Sequence, residues 1–211
     1  AFLVAEKLAG ILPAGLDRVF LVNSGSEAAD TAIKIALLYH RVRGEAQRTL
    51  FVSRERAYHG VNLGGLGLSG IVNNRRHFAS QLPNVPLLRH TWLAENRFTR
   101  GLPKHGAELA DDLLRIIATH GAENIAAVFV EPIAGSTGVL LPPQGYLERL
   151  RAITSAHGIL LVFDEVICGF GRTGRWFGCE HFGTRPDFLT LAKAVTSGYL
   201  PLGALMVSDR V

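Results

Sequence analysis

One lysine follows an apolar run, where a primary amine could do carbonyl chemistry. Residues 187–192 read DFLTLA, a pattern typical of a buried parallel strand, and Lys193 comes next. Lysine is scarce in this chain, with four lysines among 22 basic residues, so its position is informative. A buried amine loses proton affinity and becomes a nucleophile, as a Schiff-base lysine requires. The alternative is a lysine at a strand end whose amine reaches solvent.

A carboxylate ends a second apolar run. Residues 159–163 read ILLVF and predict another buried strand, which Asp164 follows about one strand-to-strand crossover before Lys193. A buried carboxylate can hold a proton on a ligand's ring nitrogen. A lone aspartate at a strand end also commonly caps a turn, which is the alternative.

A serine and glycine turn precedes a strong helix pattern. Residues 18–22 (RVFLV) predict a strand, and NSGSEAAD then offers Ser24 and Ser26 as N-cap types, with Gly25 allowing close approach. The free N–H groups of such a helix start favour a phosphate. An ordinary capped helix over residues 28–39 is the alternative.

Three further polar residues follow two more predicted strands. Tyr58 and His59 come after residues 48–53 (RTLFVS), and Glu131 ends residues 124–130 (NIAAVFV). Tyr58 could stack on a flat ring or be an ordinary core aromatic.

The elements that must position these residues form an α/β pattern. Further strands are predicted at residues 85–88 and 203–207, and helices at 108–120 and 144–157, whereas residues 60–70 predict a glycine-rich loop. Seven strands separated by helices or long loops favour an open, largely parallel sheet with right-handed crossovers. The carboxyl ends of such strands share one edge, where ligands bind.

One ligand would use all of these groups. Pyridoxal 5′-phosphate has a phosphate for the helix start, a flat ring for stacking, an aldehyde for the lysine and a ring nitrogen for the aspartate. Two G-x-G-x-x-G matches, at Gly65 and Gly169, lack the strand-glycine-helix context of a nicotinamide site.

Composition excludes several other classes. The 211 residues are 48% hydrophobic, with a modest net charge of +4, and no apolar run reaches membrane-span length. Arg75 and Arg76 lack interleaved aromatics, so no nucleic-acid partner is predicted. No membrane partner is predicted either, and without H-E-x-x-H or paired Cys-x-x-Cys motifs no metal is predicted. Two cysteines cannot build a disulfide framework, which predicts a cytoplasmic protein. The abrupt ends of the sequence predict a piece of a longer protein.

Five motifs in order carry a family resemblance: NSGSEA, YHG, VEPIAGSTGVLLPP, FDEVICGFGRTG and LAKAVTSGYLPLGA. They resemble the class III (ω-type) aminotransferases of the pyridoxal-phosphate fold type I superfamily. TAIKIALLYHRVRGEAQRT and GIVNNRRHF bring the sequence nearest to the ω-amino acid:pyruvate (β-alanine:pyruvate) aminotransferases. The resemblance covers residues 1–211 and implies a cofactor-binding large domain. Its α/β sheet would have seven strands, with the last antiparallel and helices on both faces.

The resemblance also implies residue roles. Lys193 would bind the cofactor's aldehyde and move the substrate proton, and Asp164 would pair with the ring nitrogen. The phosphate would lie on Ser24, Gly25 and Ser26. The remaining cofactor-binding residues would be Tyr58 and Val166 on the two ring faces, with His59 and Glu131 beside them. Cys168 stands where a threonine is commoner.

The implied activity is transamination by a ping-pong mechanism, from an ω-amino acid or amine to a 2-oxo acid such as pyruvate. Another class III donor or acceptor specificity, an aminomutase and an inactive truncated polypeptide are the alternatives. The family implies a homodimer or homotetramer, and its substrate-carboxylate arginine lies in a C-terminal small domain outside this sequence.

Overall fold

Seven strands form where the apolar runs predict them. The computed structural model describes residues 1–78 and 84–211. The strands of that part of the chain are β1 (Arg18–Val22), β2 (Leu50–Arg54), β3 (Leu87–Leu88), β4 (Ile125–Val130), β5 (Leu160–Asp164), β6 (Phe188–Leu191) and β7 (Gly203–Val207).

The strands join in the order β1-β7-β6-β5-β4-β2-β3. The pairs β2–β3, β2–β4, β4–β5 and β5–β6 are parallel, whereas β7 runs antiparallel to both β6 and β1. The predicted sheet, with its last strand antiparallel, is therefore confirmed. The carboxyl ends of β1, β2, β4, β5 and β6 lie along one edge.

Helices cover both faces of the sheet. They are α1 (Phe2–Ile11), α2 (Gly25–Val42), α3 (Leu63–Leu68), α4 (Val72–Phe78), α5 (Asp112–His120) and α6 (Tyr146–Ala156). Successive strand residues point to opposite faces, so Val162 packs in a core with α2 residues such as Ala36, while Leu161 packs in a second core with Leu113 and Leu150. Both faces of the central strands are buried, which explains their continuous apolar runs.

The glycine-rich loop predicted at residues 60–70 is wrong in its central part, because α3 forms there. Gly65 donates its N–H to Asp30 Oδ1 at 3.1 Å, and a Cβ on Gly65 would meet the carbonyl oxygen of His59. Close packing of α3 against α2 and the segment after β2 therefore requires glycine and overrides its low helix propensity. The first G-x-G-x-x-G match thus lies largely within a helix.

In the described residues, no helix is both long enough and apolar enough to cross a bilayer. Cys168 and Cys179 are both buried, free thiols.

Candidate active site

A cavity of about 370 Å³ opens at the carboxyl ends of the parallel strands. Every residue predicted to bind the cofactor lines it: Ser24, Gly25, Ser26, Tyr58, His59, Glu131, Asp164, Val166 and Lys193. Sequence reasoning did not include the outer wall, which Ile167, Leu200 and Leu202 make apolar. One cavity therefore brings together groups that are up to 169 positions apart in the sequence (193 minus 24).

Asp164 holds two different partners. It is the last residue of β5 and is 6% exposed. Its Oδ1 accepts the N–H of Val166 at 3.1 Å, which is the turn-capping role considered as the alternative. Its Oδ2 lies 2.9 Å from Nδ1 of the buried His59. The carboxylate therefore caps a turn and faces the histidine at the same time.

Of the two interpretations given for Lys193, the buried amine is wrong and the lysine at a strand end, open to solvent, is found. The residue is exposed because β6 ends at Leu191 and the lysine begins a 3₁₀ turn, Lys193–Val195, at the cavity. Its φ is +44°, in the left-handed region that L-residues adopt only at a cost. Neighbouring strands β5 and β6 thus deliver the carboxylate and the amine to one cavity.

The first turn of α2 forms another part of the cavity lining. Ser24 is the N-cap, and its hydroxyl accepts the N–H of Glu27 at 3.2 Å. The hydroxyl of Ser26 accepts the N–H of Val61 at 3.0 Å. A Cβ on Gly25 would lie 2.8 Å from Cγ2 of Val166, so only glycine fits beside the Val166 side chain at the start of the helix.

Glu131 binds main-chain groups. Its two carboxylate oxygens accept the N–H groups of Tyr58 and Gly135, each at 3.0 Å. Burial raises the pKa of Glu131, and His59 acts against that rise.

Sequence reasoning missed two buried charges beside the cavity. Arg54, 1% exposed, donates from Nη2 to the main-chain oxygen of Glu131 at 2.9 Å. Glu165, also 1% exposed, accepts the N–H groups of Gly178 at 2.7 Å and Cys179 at 2.6 Å. Burial raises the pKa of Glu165 to about 7. The only sequence signal was a charge at the end of an apolar run, which also describes many exposed residues.

The thiol of Cys168 is buried and does not line the cavity. Its Sγ donates to the carbonyl oxygen of Ile133 at 3.3 Å, and burial raises its pKa to about 12. The thiolate, which is the reactive form, is therefore scarce near neutral pH. No group of three metal-ligating side chains occurs among residues 1–78 and 84–211.

Comparison with known proteins identifies the family of this chain. A family model described as "Aminotransferase class-III" matches residues 1–211. The chain belongs to the class III aminotransferases. The resemblance expected from the five motifs is thereby confirmed.

Relatives of this class III aminotransferase are named ω-aminotransferases. It is 56% identical to an "Omega-aminotransferase" of Caulobacter vibrioides, with all of this chain and 48% of the relative aligned. It is 51% identical to the "Omega-amino acid--pyruvate aminotransferase" of Pseudomonas putida, again over the whole chain and 47% of the relative. The chain spans about half the length of these relatives.

Solved structures agree with the sheet and its surrounding helices. An omega transaminase from Pseudomonas jessenii in complex with PMP superposes with a TM-score of 0.91 at 36% identity, over 99% of this chain and 46% of the other. An (S)-enantioselective omega-transaminase from Thermomicrobium roseum gives 0.90 at 39% identity, over 99% and 47%.

Proposed function

We propose that the full protein is a pyridoxal-phosphate-dependent aminotransferase. It moves an amino group from an ω-amino acid or amine to a 2-oxo acid such as pyruvate by a ping-pong mechanism. The observation that carries this proposal is the delivery of Lys193 and Asp164 to one cavity by neighbouring strands. The named relatives support it, and their match to the whole chain makes an inactive polypeptide a disfavoured alternative.

The cavity suits the phosphate end of this cofactor. The free N–H groups of α2 begin at Gly25 and Ser26, and a helix of 18 residues adds the positive end of its dipole. Ser24 and Ser26 add hydroxyls at the same place. These three residues would hold the phosphate.

The buried carboxylate in the cavity suits a protonated ring nitrogen. Asp164 would hold that proton, since a nearby negative charge favours the charged form. Tyr58 and Val166 would cover the two ring faces, and His59 would orient Asp164 through the contact between its Nδ1 and Oδ2 of the carboxylate. When bound, the cofactor supplies an aldehyde that captures amines and a ring that draws electron density from the substrate's carbon.

Lys193 would hold the cofactor and then serve as acid and base. Its exposed position leaves the amine free to reach the aldehyde. Once the substrate's amine has replaced it on the cofactor, Nζ would take the proton from the substrate carbon and deliver it to the cofactor's aldehyde carbon.

The assembly and location follow as parts of the same proposal. Leu200, at the cavity, and the adjacent Tyr199 are 70% and 89% exposed, which favours coverage by a second subunit in a homodimer or homotetramer. We place the protein in the cytoplasm. Size-exclusion chromatography with light scattering tests the subunit number of the full-length protein.

Reductive trapping tests the function directly. Borohydride treatment of the full-length protein with pyridoxal phosphate should attach the cofactor to the peptide containing Lys193 through a secondary amine that survives digestion, with the loss of one water and the gain of two hydrogens. Lys193→Ala should remove the label, whereas Lys104→Ala, at an exposed site, should keep it. A label that persists in Lys193→Ala would refute the assignment. Turnover with pyruvate should also exceed turnover with 2-oxoglutarate as the acceptor.

A further inference from the structure

Glu131 joins two segments that build different parts of the cavity wall. It follows β4 directly and is 4% exposed. Its Oε1 accepts the N–H of Tyr58, and its Oε2 accepts the N–H of Gly135. Tyr58 belongs to the segment after β2 (residues 55–60), and Gly135 belongs to the segment after β4 (residues 132–140). One side chain therefore bridges two separate connections of the sheet.

A carboxylate is the side chain that both donors require. An ionised carboxylate offers two acceptor oxygens, whereas the amide of glutamine offers one oxygen and a nitrogen that only donates. Glutamine at this position would therefore aim an N–H group at the N–H of Tyr58 or Gly135. One main-chain donor would lose its partner, which is costly in a buried site.

Neighbouring contacts make the bridge stiff. Arg54, the last residue of β2, donates to the main-chain oxygen of Glu131 at 2.9 Å. The hydroxyl of Thr137 donates to the main-chain oxygen of Arg56 at 3.1 Å, which ties the same two segments a second time. A change at Glu131 is therefore passed on to the main chain at Tyr58.

The turn after β5 has the same construction. Val166 donates its N–H to Oδ1 of Asp164 at 3.1 Å, so a carboxylate also fixes the main chain there. Tyr58 and Val166 both line the cavity. Glu131 and Asp164 thus each fix the main chain of one residue that would cover a face of the ring.

We propose that Glu131 is a positioning residue that sets the placement of Tyr58 over the cofactor ring through the Tyr58 main-chain N–H. The inference rests on the proposed function, because it takes Tyr58 to cover one ring face. It gives Glu131 no role as acid or base, since main-chain donors occupy both of its oxygens.

The test uses the circular dichroism of the bound cofactor in the full-length protein, because that signal reports the placement of groups around the ring. Glu131→Gln should change the dichroism of bound pyridoxal phosphate and weaken its binding about tenfold, because Tyr58 would no longer be held where it covers the ring. Glu165→Gln is the matched control. This variant also removes an acceptor oxygen from two main-chain N–H groups. The two N–H groups belong to Gly178 and Cys179, which do not line the cavity.

The outcomes separate this inference from the proposed function. Failure of the wild-type protein to bind pyridoxal phosphate contradicts the proposed function. If the wild-type protein binds pyridoxal phosphate and Glu131→Gln leaves both the dichroism and the affinity unaltered, the role of Glu131 is overturned. A change in dichroism and affinity of the same size in Glu165→Gln also overturns it. If Glu131→Gln does not fold, Glu131→Asp decides, because it keeps two acceptor oxygens but is one methylene group too short to reach the N–H groups of Tyr58 and Gly135 as Glu131 does. A changed dichroism of bound pyridoxal phosphate in Glu131→Asp supports the inference, and an unchanged spectrum and affinity overturn it.

Discussion

Nδ1 of His59 lies 2.9 Å from Oδ2 of Asp164, and both side chains are buried. Since a carboxylate only accepts, Nδ1 carries the hydrogen of this bond. The contact joins the segment after β2 to the end of β5, so it fixes the positions of these two parts of the cavity lining relative to each other. His59 therefore acts on the site by orienting Asp164.

His59→Phe should destabilise the full-length protein by about 1–3 kcal/mol, because Asp164 loses a donor in a buried site. Urea denaturation without cofactor measures the change in the free energy of unfolding. His105→Phe, at an exposed histidine, is the control and should stay within about 0.5 kcal/mol of wild type. If Asp164→Asn and His59→Phe proved additive in a double-mutant cycle, the two side chains would not be coupled.

Gly25→Ala should weaken pyridoxal-phosphate binding about tenfold or more, because the new Cβ would lie 2.8 Å from Cγ2 of Val166. Adding Val166→Ala should restore part of the affinity by making room for that methyl group. Equilibrium binding to the full-length apoprotein measures both effects. Gly10→Ala, where no atom lies within 4 Å of the new Cβ, should leave affinity unchanged. Absence of rescue in the double variant would argue against a steric cause.

Glu165 should make stability depend on pH. Burial raises the pKa of Glu165 to about 7 from 4.5, so the folded protein holds this proton more tightly than the unfolded chain between those values. The free energy of unfolding should therefore fall as pH rises from about 4.5 to about 7, by at most roughly 3 kcal/mol, and then level off. Denaturation of wild type and Glu165→Gln across this range measures the difference, and parallel profiles would contradict the prediction.

Lys193→Gly should be more stable than Lys193→Ala by about 1 kcal/mol in the apoprotein, because glycine adopts the φ of +44° without a clash. Thermal unfolding of the two variants tests this difference. Lys104 lies outside the left-handed region, so alanine there should be at least as stable as glycine. Equal stabilities at position 193 would show that the backbone relaxes once the lysine is removed.

The centre of the sheet was predictable because its central strands, such as β4 and β5, are buried on both faces. Continuous apolar runs such as residues 124–130 mark such strands clearly, and Asp164 and Lys193 follow them directly. The parallel arrangement then placed the site residues on one edge without any coordinates.

Contacts between distant segments explain what sequence reasoning missed. The helix at Leu63–Leu68 forms because its glycines pack against Asp30 and the main chain of His59. The helix propensity of these residues gives no indication of that contact. The burial of Arg54 and the exposure of Lys193 likewise depend on how neighbouring segments turn after each strand ends. The spacing of apolar residues along the sequence does not predict how the chain turns after a strand.

The position of β7 between β1 and β6 constrains how the nascent chain can fold. β1 is an edge strand of the described sheet, and its pairing runs from Arg18 with Val207 to Val22 with Gly203. Residues 23–202 must therefore be translated before its hydrogen-bonding partner leaves the ribosome. At about 5–20 residues per second this delay is on the order of ten seconds or more. During synthesis β1 therefore exposes unpaired main-chain groups that could pair with the wrong strand. A chaperone on the ribosome would be expected to bind this segment.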